Sequence, residues 1–369
     1  MRLRYRKQAA TAGVAVVALT LALGACSSSG TSAPSGGSTG TGTATSGGGG
    51  SSNLSGTLNG SGSTFQLTYQ QAAISAFKSV QSGITVNYGG GGSGKGRTDL
   101  ASGTVNFAGS DSPIPDKEMA NFKGKTVLYF PVFLGPITMS YNLSGVSNLK
   151  LTPEVIASIF QGKITKWNDP AIASINSGTS LPSESITTAV RADSSGTTQN
   201  FSLFLMTAAP SVWKLGSSST INWPSTARAG NGNGGVAQIV KSTPGAIGYV
   251  DYADAKASGL TYASVKNKDG NYVAPSPTSA SAAGTGITVA PDLTFHAVWG
   301  TGAQAYPITY QSWVLVYEKQ PNANDAAMLK AYIGYLIGDG QHLLPELGYA
   351  QLPSSLKAQA QAQLSKITS

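Results

Sequence analysis

The first apolar run of the chain, Ala9 to Leu23, follows four basic residues, Arg2, Arg4, Arg6 and Lys7. It falls short of the roughly 20 apolar residues a membrane span needs. It ends on the small residues Gly24 and Ala25, ahead of Cys26. This pattern predicts a secretory signal peptide over residues 1–25. Residues 27–53 are then almost entirely Ser, Gly and Thr. Such a stretch has no apolar face to bury and predicts a flexible tether reaching roughly 30 Å. From Leu54 onward the pattern changes, and short β-rich runs alternate with runs of helical period. Strands are predicted over 84–88, 127–133, 137–141, 247–250 and 313–317, and helices over 69–80, 153–160, 198–207 and 325–337. In the first helix Tyr69, Ala73, Ala76, Phe77 and Val80 share a face. In the last, Met328, Leu329, Tyr332, Ile333 and Leu336 recur at helical spacing. The alternation predicts α/β architecture. The length of the body predicts two domains, because single cores stop growing near 250–300 residues or so.

Leu23-Gly24-Ala25-Cys26 resembles the bacterial lipobox, in which the Cys becomes the lipid-bearing first residue of the mature chain. The alternative is a plain secretory signal beside an incidental Cys. Either way the body is expected outside the cytoplasmic membrane. Cys26 is the only cysteine, so no intramolecular disulfide can form.

The formal charge is +8, from 24 basic and 16 acidic residues. Four of the basic residues lie ahead of Cys26, and no Lys/Arg cluster remains in the body, which argues against a nucleic-acid partner. Two histidines, His296 and His342, and one cysteine leave no zinc constellation. His296 lies in the apolar stretch Leu293 to Trp299 and is expected to be a packed structural residue. His342 is expected at a helix end.

Four glycine- and hydroxyl-rich turns carry the candidate chemistry. They are Gly60-Ser-Gly-Ser-Thr-Phe65, Gly89 to Gly94 running into Lys95-Gly-Arg-Thr98, Phe107-Ala-Gly-Ser-Asp-Ser-Pro113, and Arg191-Ala-Asp-Ser-Ser-Gly-Thr-Thr198. Each lies between a strand and a helix or opens a helix. Singly, each reads as ordinary turn chemistry. Together they supply helix N-termini with unpaired N–H groups, glycines that admit close backbone approach, and hydroxyl donors, a set suited to an oxyanion. Two motif matches are dismissed. Gly89 to Lys95 lacks the Ser or Thr that a P-loop places after its Lys, since Gly96 stands there. Gly36-Gly-Ser-Thr-Gly40 matches G-x-S-x-G but lies in the tether, with no strand before it or helix after it.

In these stretches the chain resembles the phosphate-binding lipoprotein of bacterial ABC-type phosphate importers, from about Gly60 to the C-terminal region. Three further stretches carry the resemblance: Ile159-Phe-Gln-Gly-Lys-Ile-Thr-Lys-Trp-Asn-Asp169, Pro244-Gly-Ala-Ile-Gly-Tyr-Val250 and Tyr306-Pro-Ile-Thr309. The resemblance implies a two-lobed α/β fold of the periplasmic-binding-protein kind, with the ligand in the cleft between lobes. Lobe I would be residues 54–132 plus 303–369, and lobe II residues 133–302. It further implies a monomer without cofactor or enzymatic activity, handing phosphate to the importer's membrane subunits. Carried over position by position, the phosphate ligands would be Thr64, Phe65, Ser93, Asp111, Arg191, Asp193, Ser195, Gly196 and Thr197. Gly94-Lys95 departs from the small pair expected there, and Lys95 is expected to face solvent. The resemblance implies that Arg191 supplies the opposing charge, with Asp193 orienting it. It also implies that Asp111 accepts a proton that phosphate carries and sulfate lacks. The competing readings are a binding protein for sulfate or molybdate, whose sites dispense with a ligand-facing carboxylate, and a secreted phosphatase or serine hydrolase using Ser93 or Ser195 with His296.

Overall fold

The computed structural model describes residues 54–369, so the predicted signal peptide, Cys26 and the tether lie outside the described residues. Strand β1 (Gly56–Gly62) runs into helix α1 (Leu67–Val80), and β2 (Ile84–Gly91) into α2 (Ser93–Ser102). β3 (Phe107–Ser110) ends at Asp111. The long β4 (Val127–Tyr141) is followed by α3 (Pro153–Phe160). β5 (Thr187–Arg191) runs into α4 (Gly196–Ala208), and β6 (Arg228–Gly230) into α5 (Gly232–Ser242). β7 (Ala246–Asp251), β8 (Thr309–Tyr317) and α6 (Ala323–Ile337) complete the frame. No helix among the described residues is long and apolar enough to cross a membrane.

The strands form one curled sheet in the order β2-β1-β3-β8-β4-β7-β5-β6, with the short strand Thr261–Tyr262 also on β4. β1 is parallel to β2 and β3, and β5 is parallel to β6 and β7. β4 joins these two halves. Its residues 127–136 pair with β8, and its residues 137–141 pair with β7. Each half carries its own parallel strands and helices, which makes the fold two-lobed. The sequence pattern divides 127–141 into two strands around Leu134-Gly135-Pro136, but the structure runs one strand through. Pro136 lies where β4 changes partner, so its missing N–H removes no necessary ladder bond. Gly135 is there for space: a Cβ on it would lie 2.6 Å from the Phe65 ring. Fourteen of the fifteen β4 residues are buried, as expected of a strand covered on both faces.

The helix predictions agree to within two residues at each end: α1 and α6 begin two residues early, and α3 runs over the predicted span. The stretch Lys95 to Thr98, read as turn, lies inside α2. The core beneath the lobe junction is aromatic. Phe65 stands edge-on to Phe133 at 5.1 Å and to Tyr349 at 5.6 Å, and Tyr69 stands edge-on to Phe133. Such pairs add about 0.5–1.5 kcal/mol each beyond their buried area.

Candidate ligand-binding site

The parallel strands β1, β2, β5 and β6 all point their carboxyl ends at the junction of the two lobes, where four helices begin. In open α/β sheets this is where ligands bind. All nine sequence-predicted residues are brought to this junction or to the packing directly beneath it.

Asp111 is its centre on the first lobe and is 1 % exposed. Its Oδ1 accepts from Ser63 Oγ at 2.6 Å and from Ser312 Oγ at 2.5 Å. Its Oδ2 has one longer contact, 3.2 Å from Ser93 Oγ. Ser93 Oγ in turn accepts the Asp111 N–H at 3.1 Å. A Cβ on Gly196 would lie 2.9 Å from Oδ2, so Oδ2 faces the first turn of α4. Burial pushes the Asp111 carboxyl above the usual carboxylate range, against the pull of the hydroxyls and of Arg191. Asn200 and Gln311 hold the Asp111 carbonyl with their side-chain amides.

Arg191 is the centre on the second lobe. Its Nε donates to Asp193 Oδ1 at 2.8 Å, one terminal nitrogen donates to Asp193 Oδ2, and the other donates to Thr197 Oγ1 at 3.3 Å. Five N–H donors less these three leave two for a ligand. Burial alone would raise the Asp193 carboxyl, but the Arg191 guanidinium and the Gly232 N–H hold it below its ordinary value. Ser195 caps α4, its Oγ accepting from the Thr198 N–H at 3.1 Å. Gly196 must be glycine: a Cβ would come within 2.4 Å of Ser93 Oγ and 2.7 Å of the Asp111 Cβ.

Thr64 lies in the turn from β1 to α1, and its Oγ1 accepts from Asn233 of the second lobe. Phe65 follows it, its ring in the aromatic core and its carbonyl accepting from Tyr349. Lys95 lies apart from this group, with its side chain 54 % exposed and paired to Asp99 one helical turn away. Arg191, Asp193 and Asp111 together carry a formal charge of −1. Net charge therefore does not draw an anion in. The groups available to an anion are hydroxyls, the two free Arg191 N–H groups and the helix N-termini, each N-terminus carrying a partial charge of about +0.5.

One histidine expectation is corrected and the other agrees. His296 is exposed, not packed: Leu293, Phe295 and Ala297 point inward, and the histidine between them points out. His342 does close a helical turn, a 3₁₀ turn over Asp339–Leu343, with its Nδ1 against the Asp339 carbonyl.

Several supporting residues were missed by sequence reasoning. Ser63 lies inside the first turn and could have been named with Thr64. Ser312 sits mid-strand and gives no local signal. Asn231-Gly-Asn-Gly-Gly235 opens α5 with the same chemistry as the four turns singled out, and that signal was legible. The Pro244 to Val250 stretch supports the site through Tyr249, whose hydroxyl accepts the Arg191 N–H at 2.9 Å and pairs with Thr198 Oγ1 at 2.8 Å. Trp167 ties the Ile159 to Asp169 stretch to it by donating to the Gly245 carbonyl.

Two parallel-stranded lobes sharing a crossing strand, with helix N-termini converging on their junction, define a substrate-binding protein of the periplasmic kind. A family model described as a PBP superfamily domain matches residues 35–339. Curated relatives include phosphate-binding protein PstS 3 of Mycobacterium leprae, 34 % identical over 82 % of this chain and 84 % of that one. Another is phosphate-binding protein PstS of Pasteurella multocida, 34 % identical over 83 % of this chain and 89 % of that one. The chain belongs to this family of phosphate-binding proteins. Among solved structures, a high-affinity periplasmic phosphate-binding protein bound with phosphate superposes with a TM-score of 0.70 at 21 % identity, covering 84 % of this chain and 94 % of that one. A phosphate-binding protein from Stenotrophomonas maltophilia does so at 0.67 and 18 %, covering 83 % and 93 %. At such identities these two speak to the fold alone.

Proposed function

We propose that the protein captures inorganic phosphate outside the cytoplasmic membrane and delivers it to the membrane subunits of an ABC-type phosphate importer. The observation that carries this reading is Asp111, whose Oδ1 is satisfied by two hydroxyls while Oδ2 faces the first turn of α4 with one long contact. A buried acceptor among donors suits an oxyanion that brings its own proton. Phosphate near neutral pH does, and sulfate does not. Arg191 supplies charge and two N–H donors. Thr64, Ser93, Ser195 and Thr197 supply hydroxyls or N–H groups, and Phe65 and Gly196 backbone N–H groups. Asp193 orients Arg191.

The site is one of capture, a reading supported by the engagement of Ser93 with Asp111 and by the capping of α4 by Ser195. The lobes divide as residues 54–132 with 303–369, and 133–302, a division supported by the change of partner along β4. Lipid on Cys26 holds a monomer at the extracytoplasmic face of the membrane. The importer recognises the lobes closed on phosphate.

The test is calorimetric titration of the mature protein, stripped of ligand by unfolding and refolding, with phosphate and sulfate separately near neutral pH. Tight one-to-one phosphate binding without sulfate heat is expected. Sulfate binding, or binding of neither, would overturn the reading.

Closure has its own test at Gly94. Its N–H donates to the Ser194 carbonyl across the lobes at 3.0 Å, and a Cβ there would fall 2.4 Å from the Ser194 Cβ. Gly94→Ala leaves the helix itself no worse, so the fold should persist while the closed form is blocked. Phosphate affinity is expected to fall about ten- to a hundredfold, the equivalent of ordinary overpacking. Ser194→Gly in the same chain should recover most of it. An unchanged affinity in Gly94→Ala would sink the closed-seam account.

A further inference from the structure

The first turn of α5 makes two contacts that the phosphate-capture reading does not use. Its Gly232 N–H donates to Asp193 Oδ1 at 2.9 Å, bracing the carboxylate that holds Arg191. The next residue, Asn233, is fully buried and reaches across to the first lobe. Its backbone N–H and its side-chain Nδ2 both lie 3.3 Å from Thr64 Oγ1. Thr64 is seated by two glycines: a Cβ on Gly90 or Gly232 would lie 3.1 or 3.2 Å from its methyl group. The Asn233 Oδ1 is buried and has no hydrogen-bond partner. A buried amide with an unpaired oxygen is costly to keep, which suggests that its nitrogen is doing something the fold needs.

We infer that Asn233 is the positioning residue for Thr64 and an interlobe latch of the closed state. A hydroxyl has one proton and two acceptor lone pairs. Two N–H donors from Asn233 fill both lone pairs. The Thr64 proton is then the only hydrogen-bonding group left on that oxygen, and it must be given away, to an oxygen of bound phosphate. Asn233 thereby turns an ambivalent hydroxyl into an obligate donor. Because Thr64 and Asn233 belong to different lobes, the hydroxyl is set only when the lobes meet. Ligand capture and closure thus share one contact. This inference rests on the phosphate-capture reading.

The test is a double-mutant cycle on the full mature protein, with inorganic phosphate as the probe, reading affinity by calorimetry and release by stopped flow. Asn233→Ala is expected to weaken binding about tenfold, mostly through faster release. In a Thr64→Val background the same change is expected to cost less than about twofold, because the hydroxyl it positions is gone. Asn233→Asp keeps the shape of the side chain but offers the Thr64 proton a carboxylate. It is expected to weaken binding more than Asn233→Ala does, and it stands in if the alanine variant fails to fold. Selectivity against sulfate, set at Asp111, should not move in Asn233→Ala. An equal loss in both backgrounds would make Asn233 merely structural and overturn the inference, as would an unchanged affinity in Asn233→Ala or Asn233→Asp. Absence of phosphate binding by the unaltered protein would overturn the phosphate reading itself, before any variant is made, and this inference with it.

Discussion

Asp111→Asn should admit sulfate. The two side chains are nearly the same size, and Ser63 and Ser312 can go on donating to the oxygen that replaces Oδ1. What changes is the atom facing the first turn of α4. Where Oδ2 now offers only lone pairs, an amide nitrogen would offer N–H groups. A fully deprotonated tetrahedral anion, which meets repulsion from the carboxylate, would then meet a donor. Sites that read a single hydrogen bond in a buried setting discriminate by about 10⁴–10⁵. The phosphate-to-sulfate preference is expected to collapse by about a hundredfold or more, chiefly through a gain in sulfate affinity. Parallel titrations of the parent and the variant measure this ratio. A preference left intact in the variant would show that Asp111 does not read the ligand's proton.

Arg191→Ala should be the most damaging change to affinity. The Arg191 side chain is 1 % exposed, its guanidinium grips Asp193 with two nitrogens, and it has two N–H donors to spare. Removing it takes away the site's cation and leaves Asp193 half-buried beside an incoming anion. Truncating one member of a largely buried charge pair costs on the order of 2–5 kcal/mol in binding, a loss of roughly 30-fold to a few thousandfold. The same change should destabilise the fold by about 3–5 kcal/mol, because an uncompensated carboxylate remains. The two effects can be separated. Arg191→Ala with Asp193→Asn should recover much of the stability and little of the binding. Arg191→Lys keeps the charge without the forked geometry and should fall between.

The pH dependence of this stability follows from Asp193. Its folded-state value is depressed, so the pair's contribution is fully present above the ordinary carboxylate value of about 3.9 and is lost as pH falls through the depressed one. The stability gap between the parent and Arg191→Ala should therefore narrow in acid. Near-native phosphate affinity in Arg191→Ala would rule out the proposed site.

Legibility in the sequence followed the range of the interactions. Helix α3 was readable end to end because its apolar spacing, Thr152 cap and Pro153 are all local. The turns of the site were readable as candidate chemistry because glycine and hydroxyl residues must stand where a strand hands over to a helix. The local pattern predicts two strands over β4, because Leu134-Gly135-Pro136 interrupts it. β4 is one strand because its partners change at that proline, and that fact belongs to β7 and β8. His296 was misread because an apolar neighbourhood in sequence does not say which way alternate side chains of an extended stretch point.

The sequence alone determined the residue types at the ends of the parallel strands, and with them an oxyanion chemistry of helix N-termini, one arginine and two carboxylates. These are short-range requirements that the chain must write into neighbouring positions. Only the tertiary structure decided which atoms of those residues remain free. Ser312, more than 200 residues from Asp111, fills Oδ1 and leaves Oδ2 facing the first turn of α4. Asn233, 169 residues from Thr64, fills that hydroxyl's lone pairs. Hydrogen-bond valence is saturated by whatever packs closest in space. The donors and acceptors left over for a ligand are therefore a property of the folded chain.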